Sequence, residues 1–273
     1  MPTTEIDKTL LELERTTGVE ILFAVESGSR AWGFSSPNSD YDIRFVYRRP
    51  LTTYLELNNA PETLTHTTEQ LDIHGWDIRK AMSLLAKSNT SLHEWLRSPI
   101  VYKNLFLPHA GKTYIETLKD LTIKLYSKEY VRYSYSSIAK QNYKKPAYFN
   151  TETATAKKYF YVVRSLLAAR WVETRQELPP IELSTLLTQD FPDKEAVTAA
   201  VNDLLLKKKT TTELLTIPRV PVLDSFIETQ LDWCDSLNAP TKELLEAMTL
   251  ARTEQNYKKL NRTLLNIILQ WMY

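Results

Sequence analysis

Two segments with strand character, separated by a polar turn, set the strongest constraint on the fold of this chain. Residues 19–25 form a largely apolar run with the length and β-branched content of a buried strand. Residues 40–47 form a second run, in which charged and apolar residues alternate at the start. A Gly-Ser pair at 28–29 ends the first run, and Pro37 and Asn38 mark the turn before the second. The sequence therefore predicts two strands with polar groups at the ends that face the turn.

The polar groups at these strand ends indicate chemistry on phosphates. Alternation along a strand places Asp40 and Asp42 on one face. Neighbouring carboxylates repel each other, and a divalent cation relieves the repulsion; Mg²⁺ prefers such oxygen ligands and leaves positions open for substrate phosphates. The backbone N–H groups of Gly28 and Ser29 are suited to cradle phosphate oxygens, because glycine allows a close approach of the backbone. A phosphate cradle beside a carboxylate pair favours phosphoryl or nucleotidyl transfer.

A third carboxylate is expected on a third strand, predicted over residues 67–74. Leu71 and Ile73 share one face of this segment, and Asp72 lies on the other. We select Asp72 as the third active-site acid, which would help to activate an attacking hydroxyl. Asp77 competes for the role, but it directly precedes a segment with helical character. An aspartate in that position is most simply an N-cap, so the choice between the two stays open on the sequence alone.

These residues carry a resemblance to a known family. Gly28-Ser29, followed after ten residues by Asp40-x-Asp42, resembles the signature of the DNA polymerase β-type nucleotidyltransferase superfamily. The fuller string over residues 28–44, the string over residues 72–80 and Lys-Lys-Tyr-Phe-Tyr at 157–161 are similar to its RNA-repair-pathway branch of predicted nucleotidyltransferases. The resemblance touches both halves of the chain.

The resemblance implies an enzyme that moves a nucleoside monophosphate from an NTP, expected to be ATP, to a hydroxyl and releases pyrophosphate. Two Mg²⁺ ions, with Mn²⁺ as an alternative, would be held by Asp40, Asp42 and Asp72. Gly28 and Ser29 would hold the triphosphate, and Arg30 would add charge. The branch implies that the acceptor is an RNA end, such as tRNA or a repair intermediate. Transfer to a protein or small molecule, and a non-catalytic nucleotide- or RNA-binding role, are the alternatives.

The second half of the chain contains a basic and aromatic segment. Residues 112–175 hold thirteen Lys or Arg against five Asp or Glu, and nine of the fifteen tyrosines. Such a mixture suits phosphate contacts combined with base stacking, although a solvated helix surface with half-buried tyrosines has the same composition.

A helix predicted over residues 156–173 carries the most informative part of that segment. It places Lys157, Tyr161 and Arg164 on one face, beside an apolar stripe. These residues are predicted to bind the nucleotide. Lys158 is the alternative to Lys157, since the two point about 100° apart on a helix. The competing interpretation is a surface helix whose lysines extend along apolar surface into water.

Length and composition predict two domains in an α+β chain. At 273 residues the chain exceeds the usual single-domain size. Glycine is absent after Gly111, which is typical of packed helices. We therefore expect a nucleotidyltransferase domain over 1–107, with a small mixed β-sheet flanked by helices. An all-helical domain over 108–273, which binds nucleotide or substrate, is expected to follow.

The remaining features predict a cytoplasmic protein without membrane segments. The single cysteine, Cys234, excludes an internal disulfide and is typical of a reducing compartment. No apolar stretch approaches the ~18 residues of a membrane span. The N-terminus lacks the basic start and apolar core of a signal peptide. The lysines at 207–209 are interpreted as a solvated helix end.

Overall fold

The computed structural model describes residues 3–107, 110–210, 216–237 and 242–269. The chain begins with α1 (Thr3–Thr17), β1 (Glu20–Glu26), α2 (Gly28–Ala31), β2 (Tyr41–Arg48), α3 (Leu51–Leu55), β3 (Thr63–Thr67), β4 (Leu71–Asp77), α4 (Ile78–Ala86), α5 (Thr90–Leu96) and β5 (Val101–Asn104). It continues with β6 (Phe106–Leu107), β7 (Lys112–Thr113), α6 (Tyr114–Leu125), α7 (Lys128–Tyr143), β8 (Thr153–Thr155), α8 (Ala156–Arg175), α9 (Leu183–Leu186), α10 (Lys194–Thr210), β9 (Thr216–Pro218), α11 (Pro221–Ser236) and α12 (Lys242–Leu269). The predicted α+β class is confirmed.

A five-stranded mixed sheet forms the centre of the N-terminal part, with the strand order β3-β4-β2-β1-β5. The central pair β2 and β4 is parallel, and the other neighbours are antiparallel. In the parallel register Asp42 lies opposite Asp72, and Arg44 lies opposite His74. Two of the predicted acidic residues are therefore neighbours across the middle of the sheet.

Each face of the sheet buries a separate apolar cluster. On one face Ile43, Phe45 and Ile73 pack with residues of α1. On the other, Val46 and Trp76 pack with α4, α5, α6 and the last turns of α12. Because side chains alternate along a strand, Asp42 and Arg44 share the face of Val46. The first part of that face is polar, and its continuation is apolar core.

The chain folds into two compact units. The first, the sheet unit, comprises the described residues within 1–28, 40–126 and 247–273. The second, the helical unit, comprises those within 29–39 and 127–246. The two units are thus not separated by one cut, because residues 29–39 belong to the helical unit and the end of α12 belongs to the sheet unit. In the sheet unit, Arg48 Nη1 donates to the carbonyl oxygen of Ile267 at 2.6 Å. The predicted domain boundary at 107/108 stays a prediction.

Three local predictions need correction. The strand predicted over 67–74 is two strands: the chain turns at 68–70, where Thr68 Oγ1 accepts from the Leu71 N–H at 3.2 Å, and β4 then begins. Residues 48–64, for which Pro50 and Pro61 predict irregular structure, contain α3 and the start of β3. The helical half also contains a small ribbon, because β8 pairs with β9. Over the described ranges, no helix has both the length and the apolar character that crossing a bilayer requires.

Candidate functional site

Asp42 and Asp72 converge on one positively charged side chain. Arg44 Nη2 donates to Asp42 Oδ1 at 3.0 Å and to Asp72 Oδ2 at 2.7 Å. The Arg44 side chain is 17% exposed, whereas the two aspartate side chains are 30% and 46% exposed. The parallel pairing of β2 with β4 creates this arrangement, because it sets the two acids opposite each other on one face. The two carboxylates thus share one guanidinium and are partly open to solvent.

The sequence interpretation did not include Arg44. The signal was present: Arg44 lies two residues after Asp42, and alternation on a strand places both on one face. Arg44 Nη1 also donates to the carbonyl oxygen of Asp72 at 2.7 Å, so the guanidinium bridges both strands. It neutralises the two carboxylates that the sequence analysis assigns to metal.

The three predicted metal ligands, Asp40, Asp42 and Asp72, carry the carboxylate oxygens that Mg²⁺ prefers. Of these, Asp42 and Asp72 converge. Asp40 is exposed and precedes the first residue of β2. Across the described ranges, no group of three His, Cys, Asp or Glu side chains is arranged to hold a metal ion. Asp42 and Asp72 supply the carboxylate oxygens that Mg²⁺ prefers, and both lie within hydrogen-bond distance of one cationic group.

Gly28 lies directly against the Asp42 carboxylate. Its φ is +60°, and a Cβ atom built on it would lie 2.1 Å from Asp42 Oδ2. The neighbouring Ser27 N–H donates to the carbonyl oxygen of Asp42 at 2.8 Å. A side chain at position 28 would displace the carboxylate and strain the backbone. Glycine is thus required here for the close approach to Asp42.

A second residue missed by the sequence interpretation, the acid Glu26, supports Asp42 from β1. Glu26 is fully buried, and its Oε1 accepts from the Asp42 N–H at 2.9 Å. The Tyr102 hydroxyl donates to Glu26 Oε2 at 2.5 Å. The signal in the sequence was an acid directly after the apolar run 21–25. Glu26 fixes the backbone at the start of β2, on which the position of the Asp42 side chain depends.

Asp77 caps α4, as its position before a helical segment predicts. Its Oδ1 accepts from the Arg79 N–H at 2.8 Å, and its Oδ2 accepts from the Tyr54 hydroxyl at 3.0 Å. The residue is 4% exposed, and burial raises the pKa of its carboxyl above the ordinary value. Asp72, in contrast, shares Arg44 with Asp42, and its selection as the third active-site acid stays a prediction.

His74 lies opposite Arg44 on β4. Its Nε2 accepts from Trp76 Nε1 at 3.0 Å. Burial, followed by the charge of Arg44, lowers the pKa of the His74 imidazole. A neutral imidazole with one nitrogen engaged by Trp76 is a packing element of this face.

In the helical unit, the segment 29–39 is held by its own backbone. Ser29 is buried, and its carbonyl oxygen accepts from the Phe34 N–H at 3.0 Å. Arg30 Nη2 donates to the carbonyl oxygen of Ser39 at 2.6 Å. These bonds define the conformation of the predicted phosphate-binding residues Ser29 and Arg30.

The same unit brings this segment to the predicted nucleotide-binding helix α8. Arg164 is 3% exposed; its guanidinium lies 4.3 Å from the Trp32 ring centroid, and its Nε donates to the carbonyl oxygen of Ile181 at 2.7 Å. The Trp32 ring also meets Tyr161 edge to face, with centroids 5.1 Å apart. Arg164 thus holds Trp32 in place from inside the unit.

Lys158 lies between two tyrosine rings. Its Nζ is 4.1 Å from the Tyr148 centroid and 4.7 Å from the Tyr161 centroid. Burial is the largest cause of a lowered pKa of the Lys158 ammonium. Lys157 is partly exposed on the adjacent position of α8. The two lysines that are predicted to bind nucleotide therefore lie in different surroundings on α8.

The interpretation of residues 207–209 as a solvated helix end is wrong for Lys208. This residue is 2% exposed, and its Nζ donates to the carbonyl oxygen of Phe34 at 2.5 Å. The ammonium lies 5.2 Å from the Phe34 ring centroid and 5.8 Å from that of Phe160. Lys208 fixes the segment 29–39 from α10, a role that a local run of lysines does not reveal.

Comparisons with known proteins identify the family of this chain. The chain is 35% identical over 262 residues to a Bacillus subtilis (strain 168) protein described as "Uncharacterized protein YcgL"; the match covers 95% of this chain and 94% of the relative. A model of the family described as "RlaP: RNA repair pathway DNA polymerase beta family" matches residues 3–265. Because this match covers nearly the whole length of the chain, the chain belongs to the RNA repair pathway DNA polymerase beta family.

Proposed function

We propose that this protein is a nucleotidyltransferase that moves a nucleoside monophosphate from an NTP, with ATP as the expected donor, to a hydroxyl at an RNA end. The observation that carries the proposal is the convergence of Asp42 and Asp72 on one cationic group beside Gly28. Membership of the polymerase beta family supports nucleotidyl transfer as the reaction class. The words "RNA repair pathway" in the family description support RNA as the acceptor.

In this proposal Asp40, Asp42 and Asp72 would hold two Mg²⁺ ions, or Mn²⁺ in their place. When bound, the metals would supply positive charge that neutralises the triphosphate. The acceptor oxygen forms a bond to the α-phosphorus, the bond from that phosphorus to the bridging oxygen breaks, and pyrophosphate leaves. Asp72, the more exposed of the converging acids, would accept the hydroxyl proton.

Arg44 has a defined part in this proposal. In the structure it neutralises Asp42 and Asp72, which otherwise would repel each other across the parallel strands. A bound divalent cation would take over that neutralisation. Arg44 is therefore the group with which the metal competes, and its guanidinium would be released from the carboxylates.

The nucleotide-binding residues proposed in the helical unit fall into two roles. Lys157, Lys158 and Tyr161 are proposed to contact the nucleotide, because they combine ammonium groups with an aromatic ring on α8. Arg164 is proposed to act by holding Trp32, since its guanidinium is buried against that ring. Gly28, Ser29 and Arg30 are proposed to approach the triphosphate.

The test is a labelling experiment with each α-³²P-labelled NTP, Mg²⁺ and total RNA. Label in RNA is expected with the natural protein and is expected to be lost with Asp42→Asn. Asp203→Asn is the matched control, because Asp203 is an exposed aspartate paired with Lys207. Label that appears only in protein or in a small molecule would reject RNA as the acceptor. No label with any NTP would reject the transferase activity itself.

A further inference from the structure

The sheet unit contains a cavity at the other end of β4 from the carboxylate pair. Its volume is about 170 Å³, and its lining includes Arg49, Thr53, Tyr54, Glu62, Asp77 and Arg79. We call this cavity the Arg49 pocket. Asp72 and Asp77 are five residues apart, which corresponds to about 17 Å along a strand. The two residues also lie on opposite faces, so the Arg49 pocket is separate from the candidate active site.

Two guanidinium groups line the Arg49 pocket, and one of them has a buried donor without a partner. Arg49 Nε is buried and has no hydrogen-bond partner within the described part of the chain. The same guanidinium uses Nη2 for the carbonyl oxygen of Pro61, at 3.1 Å. The Arg79 guanidinium lies over the Tyr54 ring, 5.9 Å from its centroid, and makes no ion pair with a described residue. A buried donor without a partner costs about 1–3 kcal/mol, so this arrangement calls for an acceptor.

The buried acid in the pocket does not meet that need. Both Asp77 oxygens are already used, one by the Arg79 N–H and one by the Tyr54 hydroxyl. The Tyr54 hydroxyl in turn accepts from the Arg49 N–H at 3.0 Å. This internal network uses the backbone N–H groups of both arginines and leaves Arg49 Nε without an acceptor. Two acids line the pocket, the buried Asp77 and the exposed Glu62, and a negative charge on either would oppose an anion.

We infer that the Arg49 pocket binds a phosphate group, either free or as the phosphate ester of a small molecule. Two guanidinium groups recognise phosphate oxygens through strong, charge-assisted hydrogen bonds. A cavity of about 150 Å³ holds a molecule the size of benzene, so this one accommodates a phosphate and not a whole nucleotide. Any sugar attached to the phosphate would extend out of the pocket. The inference does not depend on the proposed transferase activity.

The test is calorimetric titration of the full chain, without Mg²⁺, with inorganic phosphate, ribose 5-phosphate and ribose. Binding of phosphate is expected, and binding of ribose is not. Arg79→Gln removes an exposed guanidinium and is expected to weaken phosphate binding at least tenfold. Arg15→Gln is the matched control, because Arg15 is a surface arginine paired with Glu12 on α1. Glu62→Gln is expected to tighten binding several-fold, because it removes one of the two opposing charges, the exposed one.

The ligands and variants separate the possible results. Binding of ribose 5-phosphate with an affinity like that of phosphate would identify a phosphate ester as an acceptable ligand, whereas binding of phosphate alone would restrict the site to the free anion. The inference is overturned if the natural protein binds neither. It is also overturned if Arg79→Gln binds as the control does, or if Glu62→Gln weakens binding. Arg49→Gln provides a second guanidinium variant with the same expected direction.

Discussion

The two ends of β4 each carry one aspartate, and the two differ in almost every physical respect. Asp72 is half exposed, and its Oδ2 accepts from a guanidinium shared with Asp42. Asp77 is buried, and its oxygens accept from a backbone N–H and a tyrosine hydroxyl. An exposed acid with a charged partner can exchange that partner for a metal. A buried acid with both oxygens committed holds a helix in place. Exposure and hydrogen-bond partners, and not residue type, therefore separate a candidate catalytic acid from a structural one.

The largest expected effect is on activity at the Asp72 end. Asp72→Asn removes the proposed proton acceptor and one converging carboxylate. We expect nucleotidyl transfer to fall by about a hundredfold or more, a typical cost of losing an acid–base group. Asp77→Asn, which keeps a capping oxygen, is expected to cost far less. Initial rates of labelling for both variants check this, and equal losses would break the distinction between the two ends.

The next largest effect is expected at Gly28. Comparing it with Gly18 separates the cost of close packing from the cost of backbone strain. Gly28 and Gly18 both have positive φ, +60° and +65°, but only at Gly28 would a Cβ meet the Asp42 carboxylate. Gly28→Ala is expected to destabilise the protein by about 1–3 kcal/mol more than Gly18→Ala does. Urea unfolding of both variants measures the difference. Equal destabilisation would mean that Asp42 can move away at no cost.

A smaller effect is expected at Arg44, the shared partner of Asp42 and Asp72. Arg44→Gln removes the positive charge with which a metal would compete, while a glutamine amide can still donate to a carboxylate. We expect Mg²⁺ to bind about tenfold more tightly, which corresponds to about 1.4 kcal/mol. Calorimetric titration with Mg²⁺ in the absence of nucleotide measures this. Weaker binding would assign Arg44 to holding the carboxylates in place for the metal.

Substitution of Asp77, at the other end of β4, is expected to lower the free energy of unfolding. Asp77→Ala removes the acceptor for the Arg79 N–H and the Tyr54 hydroxyl, and loss of an N-cap costs about 1 kcal/mol. Asp77→Asn should cost less, because asparagine is also a good cap. Urea unfolding gives both values, with Asp203→Ala as a surface control. A loss no larger than the control's would remove the capping role from Asp77.

Local sequence patterns identified each of these aspartates but not their partners. Alternation was sufficient to place Asp42 on a strand, and the helical segment after Asp77 was sufficient to identify a cap. The shared guanidinium of Arg44 depends on β2 pairing in parallel with β4, and no local pattern specifies that register. Lys208 is a similar case: its charge is buried by an interaction with residue 34, far away in sequence. The periodicity of a segment does not specify which distant segment it pairs with.

The smallest expected effect is the pH dependence that Asp77 gives to the free energy of unfolding. Burial raises the pKa of Asp77 in the folded state above its ordinary value of 3.8, with the charges of Arg49 and Arg79 and the bonds from Tyr54 and the Arg79 N–H acting in the opposite direction. The folded state therefore keeps the proton to a higher pH than the unfolded chain does. Below 3.8 both states are protonated and stability does not depend on this group.

As the pH rises from 3.8 through the higher folded pKa, the natural protein should lose stability relative to Asp77→Asn, and the difference should then level off. Asparagine resembles the protonated acid but cannot titrate, so subtracting its unfolding free energy isolates this one group from all other carboxyls. Urea unfolding of both proteins from about pH 3.5 to pH 7 gives the difference, with a slope of at most about 1.4 kcal/mol per pH unit. A difference that grows in favour of the natural protein as the pH rises would mean that the hydrogen bonds to the charged form outweigh burial. Asp77 would then be stabilised as an anion, and the contrast with Asp72 would rest on exposure alone.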